Sequence, residues 1–129
     1  MSDFEFYDLI NKPSYAPERN VFKLVWSFLY LLMFISFLIF YFKPLSISKI
    51  LATPLFCIQF ILNIIWPFVF FRFKKIGFSF AICVLLFLTV ILMTLLFFQM
   101  SFLLGFLQFP YLIWLILALR LNYDIMRLN

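Results

Sequence analysis

Histidine is absent from this chain of 129 residues. With it go the commonest catalytic base and the commonest zinc ligand, so the usual metal-site chemistry is largely excluded. Cysteine is scarce. Cys57 and Cys83 each lie inside an apolar run with no CxxC spacing, and they read as buried free thiols acting as small hydrophobes. Two glycines and six prolines are too few for a loop-rich fold. The segment from Met1 to Tyr15 carries Asp3, Glu5 and Asp8 but no basic stretch followed by an apolar one, so it does not read as a secretory signal.

What the chain has in excess is hydrocarbon. It is 67% hydrophobic, with 22 phenylalanines and a mean hydropathy of +1.17, whereas water-soluble domains are about 45–50% apolar. Apolar runs long enough to cross a bilayer need about 20 residues each. Four are found, at about 21–42, 50–71, 78–98 and 102–126, preceded by an N-terminal loop segment at 1–19. The expected fold is a single all-α membrane domain over 1–129, a bundle of four transmembrane helices. Pro54 and Pro67 in the second run and Pro110 in the fourth read as kinks, tolerated because neighbouring helices satisfy the freed carbonyls.

Ten basic residues against five acidic ones give a net charge of +5, but their placement is that of a topology signal. No basic cluster exceeds Arg72-Phe73-Lys74-Lys75, at the junction of two apolar runs, so nucleic acid is not an expected partner. Lys12, Arg19, Lys23, Arg72, Lys74, Lys75, Arg120 and Arg127 fall on one side of the bundle, and only Lys43 and Lys49 on the other. Basic loops stay inside, so both termini are expected in the cytoplasm.

Polar and aromatic landmarks punctuate the apolar background in a fixed order. They are Lys12-Pro13-Ser14-Tyr15-Ala16-Pro17, Val25-Trp26 with Leu29-Tyr30, Gln59-x3-Asn63-x2-Trp66, Pro110-Tyr111-Leu112-x-Trp114 and Leu121-Asn122-Tyr123. Amides and indoles kept in hydrocarbon must be hydrogen-bonded or used. Phe22, Trp26, Leu29 and Met33 share one helical face; so do Asn63, Trp66 and Phe70, and again Trp114, Ala118 and Leu121. By themselves such stripes are most often helix–helix contacts, and Gln59 with Asn63 would simply tie two helices together.

The order and spacing of these landmarks resemble the TspO/MBR family, the translocator proteins or peripheral-type benzodiazepine receptors. The resemblance runs from about Phe6 to Asn129. It implies that the stripes line a ligand pocket made by Phe22, Trp26, Asn63, Trp66, Phe78, Trp114, Ala118 and Leu121. Trp26 and Trp114 would stack on a flat ligand, Asn63 would donate a hydrogen bond to it, and Phe78 would close one wall. The loop with Pro13 and Pro17 would act as a lid, and Lys12, Arg19 or Lys23 would meet a porphyrin's propionates. The family has five spans, and this chain aligns with the last four. Glu18 and Phe34 replace an expected proline and glycine, and Tyr41 stands where many members have tryptophan. Pro54 and Ile58 replace small residues at the family's usual dimer contact, so any homodimer would have an altered interface.

The function implied is a membrane receptor or sensor for tetrapyrroles such as haem or protoporphyrin, in a bacterial inner membrane, with the lipid bilayer as its other partner. No bound cofactor and no metal site are expected. A structural or vestigial membrane protein and a small transporter of hydrophobic or tetrapyrrole cargo are the alternatives. Catalysis finds little support, since no serine or cysteine has a base beside it. Arg120 and Asp124, four apart, read as an interfacial ion pair. The string Leu121-x-Tyr123-x3-Arg127 fits a proposed sterol-contact pattern, but its residues are ordinary helix-end residues and no sterol contact is expected.

Overall fold

The computed structural model describes Ser14, residues 19–72 and residues 75–128, without the side chains of Arg19, Phe71 and Arg72. The expected lid at Pro13 and Pro17, and Lys12, lie outside the described residues. Among the described residues five helices follow in chain order: α1 (Arg19–Phe42), α2 (Ile47–Pro67), α3 (Ile76–Met100), α4 (Phe102–Phe106) and α5 (Phe109–Leu128). A π-helical turn, Phe68–Arg72, extends α2. α4 and α5 together make one crossing, so the described residues form four helical spans long and apolar enough for a bilayer.

α3 is the central helix, packed along α2 on one side and α5 on the other. Its inward face repeats at three and four residues: Ser79, Ile82, Cys83, Leu86, Val90, Met93 and Phe97. Thr89 and Thr94 return their hydroxyl hydrogens to Leu85 O and Val90 O, each at 2.7 Å, which hides two polar groups inside an apolar helix. Outward-facing Leu24, Phe42, Leu45, Ile47 and Phe102 are more than two-thirds exposed. In water such a coat would drive aggregation; in a bilayer it is the solvated surface.

The helix ends differ from the apolar runs for local reasons. α2 begins at Ile47 because the Ser46 hydroxyl accepts from Lys49 N at 3.1 Å, an N-cap that the hydrophobic run does not mark. Lys49 then reaches back, donating through Nζ to Tyr41 O at 3.1 Å and Lys43 O at 2.6 Å. Its charge thus sits on the carbonyl end of α1, where a helix dipole favours a cation. Pro67 cannot donate to the carbonyl four residues back, and α2 passes there into the π turn.

Two expectations are corrected here. Pro110 is no interior kink. It is the second residue of α5, in the first turn, where the missing amide costs nothing. The break lies just before it, at Leu107 and Gln108. Gln108 N turns to Gly105 O at 3.1 Å, and the Gln108 side chain donates instead to Leu104 O at 3.1 Å. Cys57 is not buried. It faces outward on α2, while Cys83 is buried as expected.

Candidate functional site

α1 meets α2 through rings at two heights. Near one membrane face Phe40 stacks on Phe56 at 5.9 Å and packs on Phe97 at 5.4 Å. Near the other, Phe22 and Trp26 lie against Trp66 at 6.2 and 5.8 Å, both stacked. Between these contacts the helices part. A groove of about 670 Å³ opens to the lipid, lined by Tyr30, Met33, Phe34 and Phe37 of α1 and by Phe56, Cys57, Phe60 and Ile61 of α2. It lies at the height of Gln59, which its α2 residues bracket.

The indoles and rings expected to share a site do come together. Trp114 of α5 meets Phe22 edge-on at 5.3 Å and Trp26 edge-on at 6.2 Å. Phe70 stacks on Trp66 at 5.1 Å. Three helices thus contribute one aromatic cluster, each from the face its spacing selects. Asn63 lies one turn from Trp66, and Ala118 and Leu121 continue the buried face of α5 beyond Trp114.

Phe78 is the exception. Its side chain is 60% exposed, because the inward face of α3 starts at Ser79, about 100° further round the helix. It forms no wall of this interior. Asn63 takes up the helix-tying role that was one of its two expected uses. Its Nδ2 donates to the Tyr111 hydroxyl at 2.6 Å, and that hydroxyl donates in turn to Gln59 Oε1 at 2.9 Å.

A second polar knot closes the same end of the bundle as the tryptophans. Trp66 Nε1 donates to Asn122 Oδ1 at 3.0 Å and Asn122 Nδ2 donates to Ile76 O at 3.1 Å, while the one Ser79 hydroxyl hydrogen has two acceptors in reach, Ile76 O at 2.7 Å and Asn122 Oδ1 at 3.0 Å. At the far end Gln108 Nε2 donates to Ser36 Oγ at 2.8 Å, tying α1 to the α4–α5 break. Ser36, Ser79 and Gln108 carried no sequence signal, since each is a lone polar residue whose partner is distant in the chain. Asp124 lies 3.8 Å from Arg120 and 3.7 Å from Arg127, a pair of contacts at the helix end.

Against this saturation four buried polar atoms stand out. Trp26 Nε1, Trp114 Nε1, Gln59 Nε2 and Asn63 Oδ1 have no hydrogen-bond partner among the described residues. All four belong to the aromatic cluster or to the amide pair one turn away. Leaving a buried polar atom unpaired costs about 1–3 kcal/mol, so four in one neighbourhood make a region poised to receive hydrogen bonds. Among the described residues every buried polar side chain is uncharged, and no group of His, Cys, Asp and Glu could hold a metal ion.

The family model described as the TspO/MBR family matches residues 1–128. The chain belongs to the TspO/MBR family. It is similar to a "Tryptophan-rich sensory protein" of Cereibacter sphaeroides, 34% identical, with 97% of this chain and 77% of that one aligned. "Protein CrtK" of Rhodobacter capsulatus is 32% identical over 96% of this chain and 78% of its own length. "Tryptophan-rich protein TspO" of Chlorobaculum tepidum is 30% identical over 96% and 79%. The TspO/MBR chain described here is an all-α integral membrane protein whose three tryptophans, Trp26, Trp66 and Trp114, face one another at one end of the bundle.

Proposed function

We propose that this TspO/MBR protein is a membrane receptor or sensor that binds a flat hydrophobic ligand of the tetrapyrrole type, such as haem or protoporphyrin, among Phe22, Trp26, Asn63, Trp66 and Trp114. The observation that carries the reading is the set of unpaired buried atoms on Trp26, Gln59, Asn63 and Trp114, which surround rings able to stack on a planar ligand. Offset or edge-on aromatic contacts of that kind are worth about 0.5–1.5 kcal/mol each beyond burial. The bundle opens to hydrocarbon through the groove between α1 and α2, which gives a bilayer-dissolved ligand a lateral approach. Ala118 keeps the α5 side shallow.

The role is one of recognition, not catalysis. The name of one relative, a tryptophan-rich sensory protein, supports a sensing output. The protein resides in a bacterial inner membrane with both ends cytoplasmic, a reading that rests on the basic-residue bias and on the bacterial relatives. A homodimer through the outer face of α2 would have to accommodate Pro54 and Ile58, both exposed there.

The competing reading is a purely structural bundle, favoured by one observation: the rings of Phe22, Trp26 and Trp66 already pack on one another. Titrating protoporphyrin into protein in nanodiscs and following tryptophan fluorescence separates the two. Saturable quenching that weakens in Trp26→Phe and Trp114→Phe is expected of the receptor. Quenching no greater than that of empty-nanodisc partitioning would leave only the structural bundle.

A further inference from the structure

The Gln59–Tyr111–Asn63 relay has a property that fixes what it can recognise. A tyrosine hydroxyl has one hydrogen to give, and here it gives that hydrogen to Gln59 and takes one from Asn63. One heteroatom of each amide is thereby used, and the other is left open: Gln59 Nε2 as a donor and Asn63 Oδ1 as an acceptor. Turning both amides over reverses which residue donates and which accepts, but one open donor and one open acceptor remain. Both residues are fully buried, at 0% exposure. The complement is therefore built into the triad and does not depend on how either amide is oriented.

We propose that the open pair on either side of Tyr111 reads a lactam edge of the ligand, a ring amide whose C=O and N–H lie side by side. The open N–H of one amide donates to the lactam carbonyl, and the open carbonyl of the other accepts from the lactam N–H. This rests on the receptor reading of the same interior but goes beyond it: haem and protoporphyrin carry no lactam, so the class it adds is flat hydrophobic ring amides, with protoporphyrin kept as the probe of the receptor reading itself. A carboxylate could satisfy only the donor half and would bring an unpaired charge beside the open carbonyl, among side chains that are all neutral in the described interior. A plain hydrocarbon satisfies neither half. The Trp26 and Trp114 indoles, donors only, supply two further N–H groups to acceptors on the same ligand.

Three probes of one shape test the assignment: phenanthridinone, which has the lactam edge, its N-methyl derivative, which lacks the donor, and phenanthrene, which lacks both groups. Binding to protein in nanodiscs is measured by equilibrium dialysis against empty nanodiscs, with protoporphyrin run in parallel. Phenanthridinone is expected to bind at least about tenfold more tightly than either analogue, since the analogues leave buried groups unpaired. In Tyr111→Phe the two amides are free to pair with each other, and the preference is expected to fall to near unity. Asn63→Leu, which removes one arm and leaves the hydroxyl, provides the same test should Tyr111→Phe fail to fold. Equal binding of the three probes while protoporphyrin binds would overturn the lactam assignment and leave the receptor standing. A preference that survives in both variants would also overturn it, placing the recognition elsewhere. No binding of any probe or of protoporphyrin would overturn both readings.

Discussion

The Trp66 indole of α2 donates to the Asn122 carbonyl of α5 across 3.0 Å, and the Asn122 amide nitrogen donates to Ile76 O of α3 at 3.1 Å. One amide thus holds three helices at the end of the bundle where the other two tryptophans stand. It also fixes the plane of Trp66, on which Phe22, Trp26 and Phe70 are laid.

Replacing that amide should loosen the site before it unfolds the protein. Interhelical hydrogen bonds in membranes average about 0.6 kcal/mol and reach about 1.7. Asn122→Ala, which takes the acceptor from the Trp66 N–H and one of two donors from the Ile76 carbonyl, is expected to cost about 1–2 kcal/mol. Ser79→Ala should cost less, because Trp66 keeps its acceptor. Unfolding in graded mixed detergents checks the order, and equal losses for the two variants would contradict it.

Gly105 is needed for space. A Cβ there would fall 2.5 Å from Phe98 Cγ, the root of the ring, which cannot swing away cheaply. Gly105→Ala is therefore expected to destabilise by about 1–3 kcal/mol, the usual cost of overpacking. Phe98→Leu combined with Gly105→Ala should recover part of that loss. A double-mutant cycle by thermal unfolding in detergent reads the coupling, and strict additivity would show that the ring is not the obstacle.

The four crossings were legible because bilayer thickness fixes their length and nothing else in a chain reaches 67% apolar content. The stripes of Trp26, Asn63, Trp66 and Trp114 were legible because a regular helix turns equal spacing into a shared face. What the residues could not show was set by tertiary partners. The break at Gln108 depends on Leu104 O and on Ser36 of another helix, whereas Pro110, the visible signal, falls harmlessly in a first turn. Phe78 shows how a residue one position off the inward face at Ser79 turns outward. Of the two uses open to Asn63, ligand donor or helix tie, the second is the one its amide nitrogen serves, but its partner Tyr111 lies 48 residues away and could not be named from spacing.

The proposed orientation rests on charge alone and can be tested chemically. In a background of Cys57→Ala and Cys83→Ala, single cysteines are placed at Leu45, which is 80% exposed between α1 and α2, and at exposed Lys75. A membrane-impermeant maleimide added to intact cells should label Leu45→Cys and should reach Lys75→Cys only after permeabilisation. The reverse pattern would place both chain ends outside.

The central claim is that the unpaired indoles await a ligand, and the chain's three tryptophans allow it to be watched directly. Each indole N–H gives one resonance in an isotope-labelled sample in detergent. The Trp66 N–H is already bonded to Asn122, whereas the Trp26 and Trp114 N–H groups have no hydrogen-bond partner among the described residues. On titration with protoporphyrin the Trp26 and Trp114 resonances are expected to move downfield together, as new hydrogen bonds form, while Trp66 moves little. Assignments come from Trp26→Phe and Trp114→Phe. Saturable porphyrin binding that leaves both resonances in place, or that shifts Trp66 alone, would contradict the account.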